Sequence, residues 1–376
     1  MVNKNKNKNK GKFPFISVCT PTFNRRPFIP MMLKCFEHQT YPKDRIEWLI
    51  VDDGTDKIED LVCHIPQVKY FKFDKKMTLG QKRNFLNDKS TGEILVYMDD
   101  DDYYPPERFI HAVETLQNSK ALCAGSSEMF IYFKHINKMI KFGPYGPNHA
   151  TAATFAFKRD LLSKTRFQEK SCVAEEKSFL KDYTIPFVQL NTMKTILVFS
   201  HIHNSFDKKQ LLANGPNPCI HETLVNPSDF IKEPSILKFF MDDIDNLLNV
   251  YEPGKPENKP DVAKQLIEIK ETRDKLNKDH IQKQIQINEA LNKIQAYNQG
   301  GLLHNINDPD FLIKILDENK KLHEKVAYLD NKISQLIKEK TQTILQKNPA
   351  VDKVDNQMCE LTEKRVELSQ SGPIIM

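Results

Sequence analysis

Residues 92–109, GEILVYMDDDDYYPPERF, set how the remainder of the chain is read. Ile94, Leu95, Val96, Tyr97 and Met98 form a short apolar run bounded by a glycine and polar residues, the pattern of a strand inside a sheet. Four aspartates, Asp99 to Asp102, follow at its C-terminal edge, where open α/β sheets bind ligands. Adjacent carboxylates repel one another unless something positive holds them. A divalent cation answers that need, and hard oxygen ligands favour Mg²⁺ or Mn²⁺, whose sites leave room for water and substrate phosphates. In an extended backbone alternate side chains share a face, so Asp99 and Asp101 are expected to point one way and Asp100 and Asp102 the other. The competing reading is a solvated acidic turn, the usual fate of a charge run.

Upstream, 15–19 (FISVC) reads as a first strand, and TPTFNRRP after it as a turn into a helix, with Pro27 suited to the first helical turn. Ile29, Met32, Leu33 and Phe36 recur at helical spacing. A second apolar strand, 46–51 (IEWLIV), closes on Asp52-Asp53-Gly54, and 68–73 alternates as a third, half-exposed strand. Residues 79–87 read as a helix before the aspartate-tipped strand, and Phe109, Val113 and Leu116 as another helical stripe after it. Strands alternating with helices over about a hundred residues predict an α/β fold with a largely parallel sheet flanked by helices. From 121 to 206 the pattern is mixed: strands at 126–133, 140–142, 154–157 and 194–199, a short helix near 175–180, and a breaker-rich loop, GPYGPNH, at 143–149.

Past residue 210 the character changes. The segment 211–260 is rich in Pro, Asn and Asp and reads as a linker or an arm packed on the preceding domain, with one helix candidate at 236–250. Two long helices are expected at 261–297 and 309–346. Leu322, Val326, Leu329, Ile333 and Leu336 repeat at the 4-3-4-3 spacing of a coiled-coil seam, and Gly300-Gly301 can turn the chain back. The expected organisation is therefore a low-complexity Asn/Lys tail at 1–12, a catalytic-type α/β domain at 13–210, the arm at 211–260, a helical hairpin or oligomerising coiled coil at 261–346, and a tail at 347–376.

Composition narrows the class further. A chain of 376 residues with 28% charged and 9% aromatic residues can bury a sizeable core. A formal charge of +5 is too small for a nucleic-acid footprint. No run approaches the length of a membrane span and the N-terminal run lacks an apolar signal core, so a cytoplasmic location is expected. The seven cysteines are scattered without a C-x-x-C pair, which indicates reduced thiols rather than a disulfide framework or a zinc site.

Four motifs together resemble family 2 glycosyltransferases of the GT-A fold. VCTPTFNR at 18–25 is similar to that family's V-x-x-P-T-Y-N-R opening, and VDDGT at 51–55 to its V-D-D-G-S nucleotide motif. LGQKRN at 79–84, then TGE at 91–93 and YMDDDD at 97–102, resemble G-x-x-x-A-R-N followed by the L-D-x-D-D cluster. Ala174-Glu175-Glu176 stands where the family has an acidic pair ending in Asp, and His203-Asn204-Ser205 resembles its late metal-binding histidine.

The resemblance implies an inverting transfer of a sugar from a nucleoside diphosphate donor, a UDP-sugar above others, to a hydroxyl on a glycan, protein or small molecule. It implies a donor site drawn from Pro21, Phe23, Arg25, Asp53, Arg83, Asp99 and Asp100. Asp53 is expected at the nucleobase, Arg83 at the base or diphosphate, and Phe23 against the base. Asp101, Asp99 and His203 are the expected ligands of Mn²⁺ or Mg²⁺, with His201 facing the same way. Glu176 is the expected general base and Glu175 its alternative. Gly143, Gly146 and His149 are expected to close over the sugar. Two other readings compete. A sugar nucleotidyltransferase would carry a glycine-rich phosphate loop after the first strand, where TPTFNRRP has no glycine. An inactive domain on a coiled-coil scaffold would not need its aspartates.

Overall fold

The computed structural model describes residues 13–213, 217–299 and 309–347, in a chain that divides into two units, Met1–Leu276 and Asn277–Met376. The Asn/Lys run, the Gly300-Gly301 turn, the tail after 347 and Cys359 lie outside the described residues.

The first unit is built on β1 (Ile16–Thr22), β2 (Ile46–Asp52), β3 (Val68–Lys72) and β4 (Ile94–Tyr97). β1 runs parallel to both β2 and β4, and β2 parallel to β3. With β5 (Cys123–Gly125), β8 (Ala156–Lys158) and β9 (Phe187–Gln189) they make a seven-stranded sheet in the order β3-β2-β1-β4-β8-β5-β9. Only β8 is antiparallel to its neighbours. Every residue of β1 and β2 is buried, which is why the chain shows apolar runs there: a parallel sheet is covered on both faces. Trp48, Ile50, Ile94 and Val96 enter one core, and Leu49, Val51, Leu95 and Tyr97 enter the other. Each such side chain removed from water contributes about 1.5–3 kcal/mol.

Helices fill the two faces. α1 (Ile29–Glu37) and α3 (Arg108–Gln117) bury Met32, Phe36, Phe109, Val113 and Leu116 in the first core. α2 (Leu79–Lys89) sends Leu86 into the second. Its start is fixed by Thr78, whose hydroxyl accepts the Gln81 N–H while the Gln81 side chain accepts that of Thr78.

A second sheet, β10-β6-β7-β11, comprises β6 (Met129–Phe133), β7 (Lys138–Phe142), β10 (Val198–Ser200) and β11 (Ile220–Glu222). The short strands β5, β9 and β11 had no periodicity to announce them, because three residues do not complete an alternation. Phe230, Ile236, Phe240, Ile244 and Leu248, from the segment after residue 210, belong to the first core, and Phe240 stacks on Phe199 at 4.5 Å between centroids. The helix expected over 236–250 is broken in the middle by a single π-turn at 239–243. A short helix α4 (Glu176–Phe179) and the 40-residue α6 (Pro260–Gln299), with α5 (Ile244–Asn249) between them, complete the described helices that bear on the site.

The second unit contains α7 (Pro309–Lys347). Leu322, Val326, Leu329, Ile333 and Leu336 on it are 48–60% exposed. Among the described residues no helix is long and apolar enough to cross a membrane. Among the described residues six cysteines are free thiols, four of them buried.

Candidate active site

The carboxyl ends of β1, β2 and β4 meet at one edge of the sheet. Each ends in a motif whose polar residues have different jobs. At the end of β2, Asp52 accepts hydrogen bonds from the Gly54 and Ile58 N–H groups at 2.8 and 3.1 Å and from the Tyr70 hydroxyl at 2.6 Å, so it builds the turn. Asp53, expected at the nucleobase, has both oxygens engaged, one by the Lys82 ammonium at 2.7 Å and the other by the Met77 N–H at 2.5 Å. At the end of β1, Asn24 takes a left-handed φ of 52° and ties three segments together. Its side-chain oxygen accepts the Asp56 N–H at 2.9 Å and its side-chain amide donates to the Pro253 carbonyl at 2.9 Å. Glycine is required on both sides of it: a Cβ at Gly54 would lie 2.5 Å from Asn24 Oδ1, and one at Gly254 would lie 2.8 Å from the Asn24 carbonyl oxygen.

The expected alternation of the aspartates between two faces does not hold. β4 stops at Tyr97 and the chain bends through 100–102, so the period of two no longer applies and Asp99, Asp100 and Asp101 face one cavity of about 160 Å³. Pro21, Phe23 and Arg25 from the first motif and Lys82 and Arg83 from α2 line it too, with Lys76, Met77 and Leu79 beside them. Its remaining wall is Cys172, Ser205, Lys259, Asp261 and Val262. Asp53, Glu175, Glu176 and His203 are not among the lining residues. Of the wall, Cys172, Lys259, Asp261 and Val262 were not expected from the sequence, since neither the end of the Pro- and Asn-rich arm nor the start of the helix after it carries a motif.

Charge governs this cavity. Arg25 lies 3.2 Å from Asp101 and 3.6 Å from Asp100, and donates to the His203 carbonyl at 2.9 Å. Burial by itself lifts the Asp101 carboxyl, but Arg25 and the His201 ring 3.4 Å away outweigh it and hold Asp101 well below the usual carboxylate range. Asp99, Asp100 and Asp102 are pushed up, first by burial and then by their neighbours' charge. His201 is driven down to about 3 by burial, so it meets Asp101 as a neutral imidazole. His203 packs near Tyr251, not against Asp101, and burial lowers it to about 4.

Asp99 Oδ1 and both ring nitrogens of His203 are buried without a hydrogen bond. Among the described residues no three His, Cys, Asp or Glu side chains are gathered as a ready-made metal site. The donor set nevertheless fits a hard divalent ion of the kind bound by one or two carboxylates and completed by water and substrate phosphates.

Arg83 connects the cavity to α4. It is fully buried, lies over the Tyr97 ring at 4.5 Å, and donates to Glu175 at 2.7 Å, with Asp99 at 3.6 Å. Glu176 is different. Burial first, and the Glu175 charge second, raise its carboxyl to about 7. Ala174 before it and Lys181, Asp182 and Tyr183 after it all have positive φ, a strained setting of the sort found at functional loops. The His149 ring stands 4.9 Å from both Tyr145 and Tyr183, and Gly143 and Gly146 have φ of 90° and 156°.

Carboxylates and cations converge at the C-terminal edge of a mostly parallel α/β sheet, the edge at which open sheets of this kind bind ligands. Residues 17–177, under half of the chain, match the family model described as glycosyl transferase family 2. Two curated relatives are similar over part of it. Glycosyltransferase AglE of Haloferax volcanii is 28% identical over 124 residues, 32% of this chain and 41% of that protein. The GalNAc(5)-diNAcBac-PP-undecaprenol beta-1,3-glucosyltransferase of Campylobacter jejuni is 32% identical over 96 residues, 24% of this chain and 30% of that protein. The chain thus spans less than half the length of each relative. Among solved structures, S. aureus TarS 1–349 aligns with a TM-score of 0.42 at 19% identity, covering 49% of this chain and 60% of that one. The mannosyltransferase PcManGT of Pyrobaculum calidifontis, in complex with GDP-Man and Mn²⁺, aligns at 0.41 and 16%, covering 55% and 66%.

Proposed function

We propose that the protein is a metal-dependent, inverting glycosyltransferase that moves a sugar from a nucleoside diphosphate sugar, a UDP-sugar first, to a hydroxyl acceptor. The observation that carries the reading is the single cavity in which Asp99, Asp100 and Asp101 face Arg25, Lys82 and Arg83, in a chain whose residues 17–177 match the family 2 model.

The transfer needs a neutralised diphosphate, a deprotonated acceptor and a fixed donor. Asp99 and Asp101 would hold Mn²⁺ or Mg²⁺, with the His201 ring 3.4 Å from Asp101 beside them; His203, expected as a ligand, packs near Tyr251 instead. When bound, the ion supplies positive charge for the leaving diphosphate. Arg25 holds Asp101 and Asp100 in place. Lys82, fixed by Asp53, and Phe23, which Lys76 and Lys82 flank at 5.1 and 5.8 Å, form the nucleoside end. Pro21, near the end of β1, lines the cavity beside them. Glu176 takes the acceptor proton as the acceptor oxygen bonds to the anomeric carbon. The bond from that carbon to the phosphate oxygen breaks, and its electron pair leaves with the diphosphate. One in-line displacement inverts the centre.

The test is a transfer and donor-hydrolysis assay with UDP-sugars and GDP-mannose, with Mn²⁺, Mg²⁺ or EDTA. Metal-dependent release of nucleoside diphosphate supports the reading. Release of pyrophosphate from a nucleoside triphosphate and a sugar phosphate would favour a nucleotidyltransferase, and inertness toward every donor would favour the scaffold. The heptad face of α7 is read as a helix-pairing surface between copies of this chain, because a self-complementary stripe of that length is costly to leave in water.

A further inference from the structure

Five cations line the cavity, and four of them have a carboxylate partner. Arg25 has Asp101, Lys76 has Asp261, Lys82 has Asp53 and Arg83 has Glu175. The fifth is Lys259. It is 5% exposed, and its ammonium donates to the Ser205 hydroxyl at 3.0 Å. Among the described residues no carboxylate pairs with it. A buried ammonium facing a cavity with only a neutral partner is costly unless an anion arrives.

The backbone that carries Lys259 is fixed before any ligand binds. Its N–H donates to the Pro256 carbonyl at 2.9 Å, and its carbonyl accepts the Ala263 N–H at 3.1 Å in the first turn of α6. The preceding turn is held to the first motif through Asn24 and Pro253, and the Asn258 amide donates to the Glu252 and Pro253 carbonyls at 2.9 and 3.1 Å. The ammonium is therefore presented to the cavity by a rigid strap, and the strap lies outside the family-matched residues 17–177.

We propose that Lys259 is a phosphate-binding residue of the donor site, contributed by the arm, and that the donor's diphosphate is its counterion. The inference rests on the glycosyltransferase reading. It is supported by the group's own chemistry: burial, and then the Arg25 charge, lower the ammonium to about 6, and an adjacent diphosphate would reverse that. Lys259 transfers no proton in this role. It stabilises the charge that the breaking glycosyl–phosphate bond delivers to the leaving group, and so differs from the two arginines and two lysines already paired with carboxylates.

The experiment is calorimetric titration of the full chain, with Mn²⁺ present, by UDP, GDP, uridine and guanosine, for the wild type, Lys259→Gln and Lys259→Arg. Melting temperature without ligand is recorded for each. The expected result is a loss of about 10- to 100-fold in diphosphate affinity for Lys259→Gln, nucleoside affinity unchanged, and substantial recovery in Lys259→Arg, the scale of one charge-assisted hydrogen bond. Ligand-free Lys259→Gln should melt no lower than wild type, since no ion pair is lost with the amine and Gln keeps a hydrogen-bond donor toward Ser205. Equal diphosphate affinity in wild type and Lys259→Gln overturns the inference and leaves the function standing. A lower ligand-free melting temperature, with diphosphate and nucleoside weakened alike, makes Lys259 a structural tie to Ser205 and overturns it as well. If the wild type binds none of the four probes, the donor-site reading falls and this inference with it.

Discussion

Two adjacent carboxylates at 175 and 176 have opposite fates, and the difference is one of partners. Glu175 is buried and held by Arg83 at 2.7 Å, so its charge is already committed. Glu176 makes no ion pair among the described residues, and burial, then the Glu175 charge, lift it to about 7 against the weaker pull of Arg83, where a base is effective near neutrality. Glu176→Gln should lower turnover by about 10²- to 10⁴-fold with donor affinity unchanged, measured by steady-state kinetics beside UDP titration. Wild-type turnover should fall as pH drops through about 7, because a protonated base accepts nothing. Its effect on stability has the opposite sense. The folded value is raised above the ordinary 4.5, so the folded state binds the extra proton and loses stability as pH rises from 4.5 to about 7. Glu176→Gln should then melt higher than wild type at pH 8 and no higher at pH 4. Glu175→Gln should behave otherwise: it strands the buried Arg83 guanidinium and should cost about 3–5 kcal/mol in urea unfolding. If Glu175→Gln is stable and catalytically dead while Glu176→Gln is active, the roles are reversed. The pair was legible in the sequence as a pair; which member is free was not, because Arg83 comes from a helix ninety residues earlier.

At the scale of elements, the strands that carry the motifs and the helices between them were legible because each is long enough to show its period. The arm was not, since its contribution is made by loops and by a 3₁₀ turn at Pro256–Asn258. The expected boundary between arm and helices falls at residue 260, yet Asp261 and Val262 line the cavity and Lys259 lies at that boundary. Two truncations separate the possibilities. A chain ending at 276 should bind UDP as the whole chain does. One ending at 250 should lose about tenfold or more, from the missing charge-assisted contact and the missing wall. It should also melt lower, because Gly254 and Pro253 no longer brace Asn24. Equal UDP affinity for both truncations would place the arm outside the donor site.

At the scale of the molecule, α7 leaves a stripe of leucine, isoleucine and valine 48–60% exposed. In the reading proposed above, a second copy covers it. Light scattering on the full chain should give at least a dimer, and the chain ending at 276 should be a monomer. Leu329→Asp should lower the association constant by about 100-fold or more, as expected for a charge forced into an apolar seam. A monomeric full chain at micromolar concentration would end the pairing proposal.

The sequence by itself determined the sheet, the family motifs and the edge at which they meet. These depend on local periods and short spacings, which survive as one-dimensional pattern. Tertiary structure decided the rest. Whether Asp99 to Asp102 alternate depended on where β4 stops; whether Asp53 has a free oxygen depended on Lys82 and Met77; whether His201 or His203 stands beside Asp101 depended on the packing of Tyr251 and Gly254. Lys259 enters the cavity only because Asn24 and Pro253 bring together residues more than two hundred positions apart. Contacts at that separation are fixed by the folded packing of the chain, and no periodicity records them.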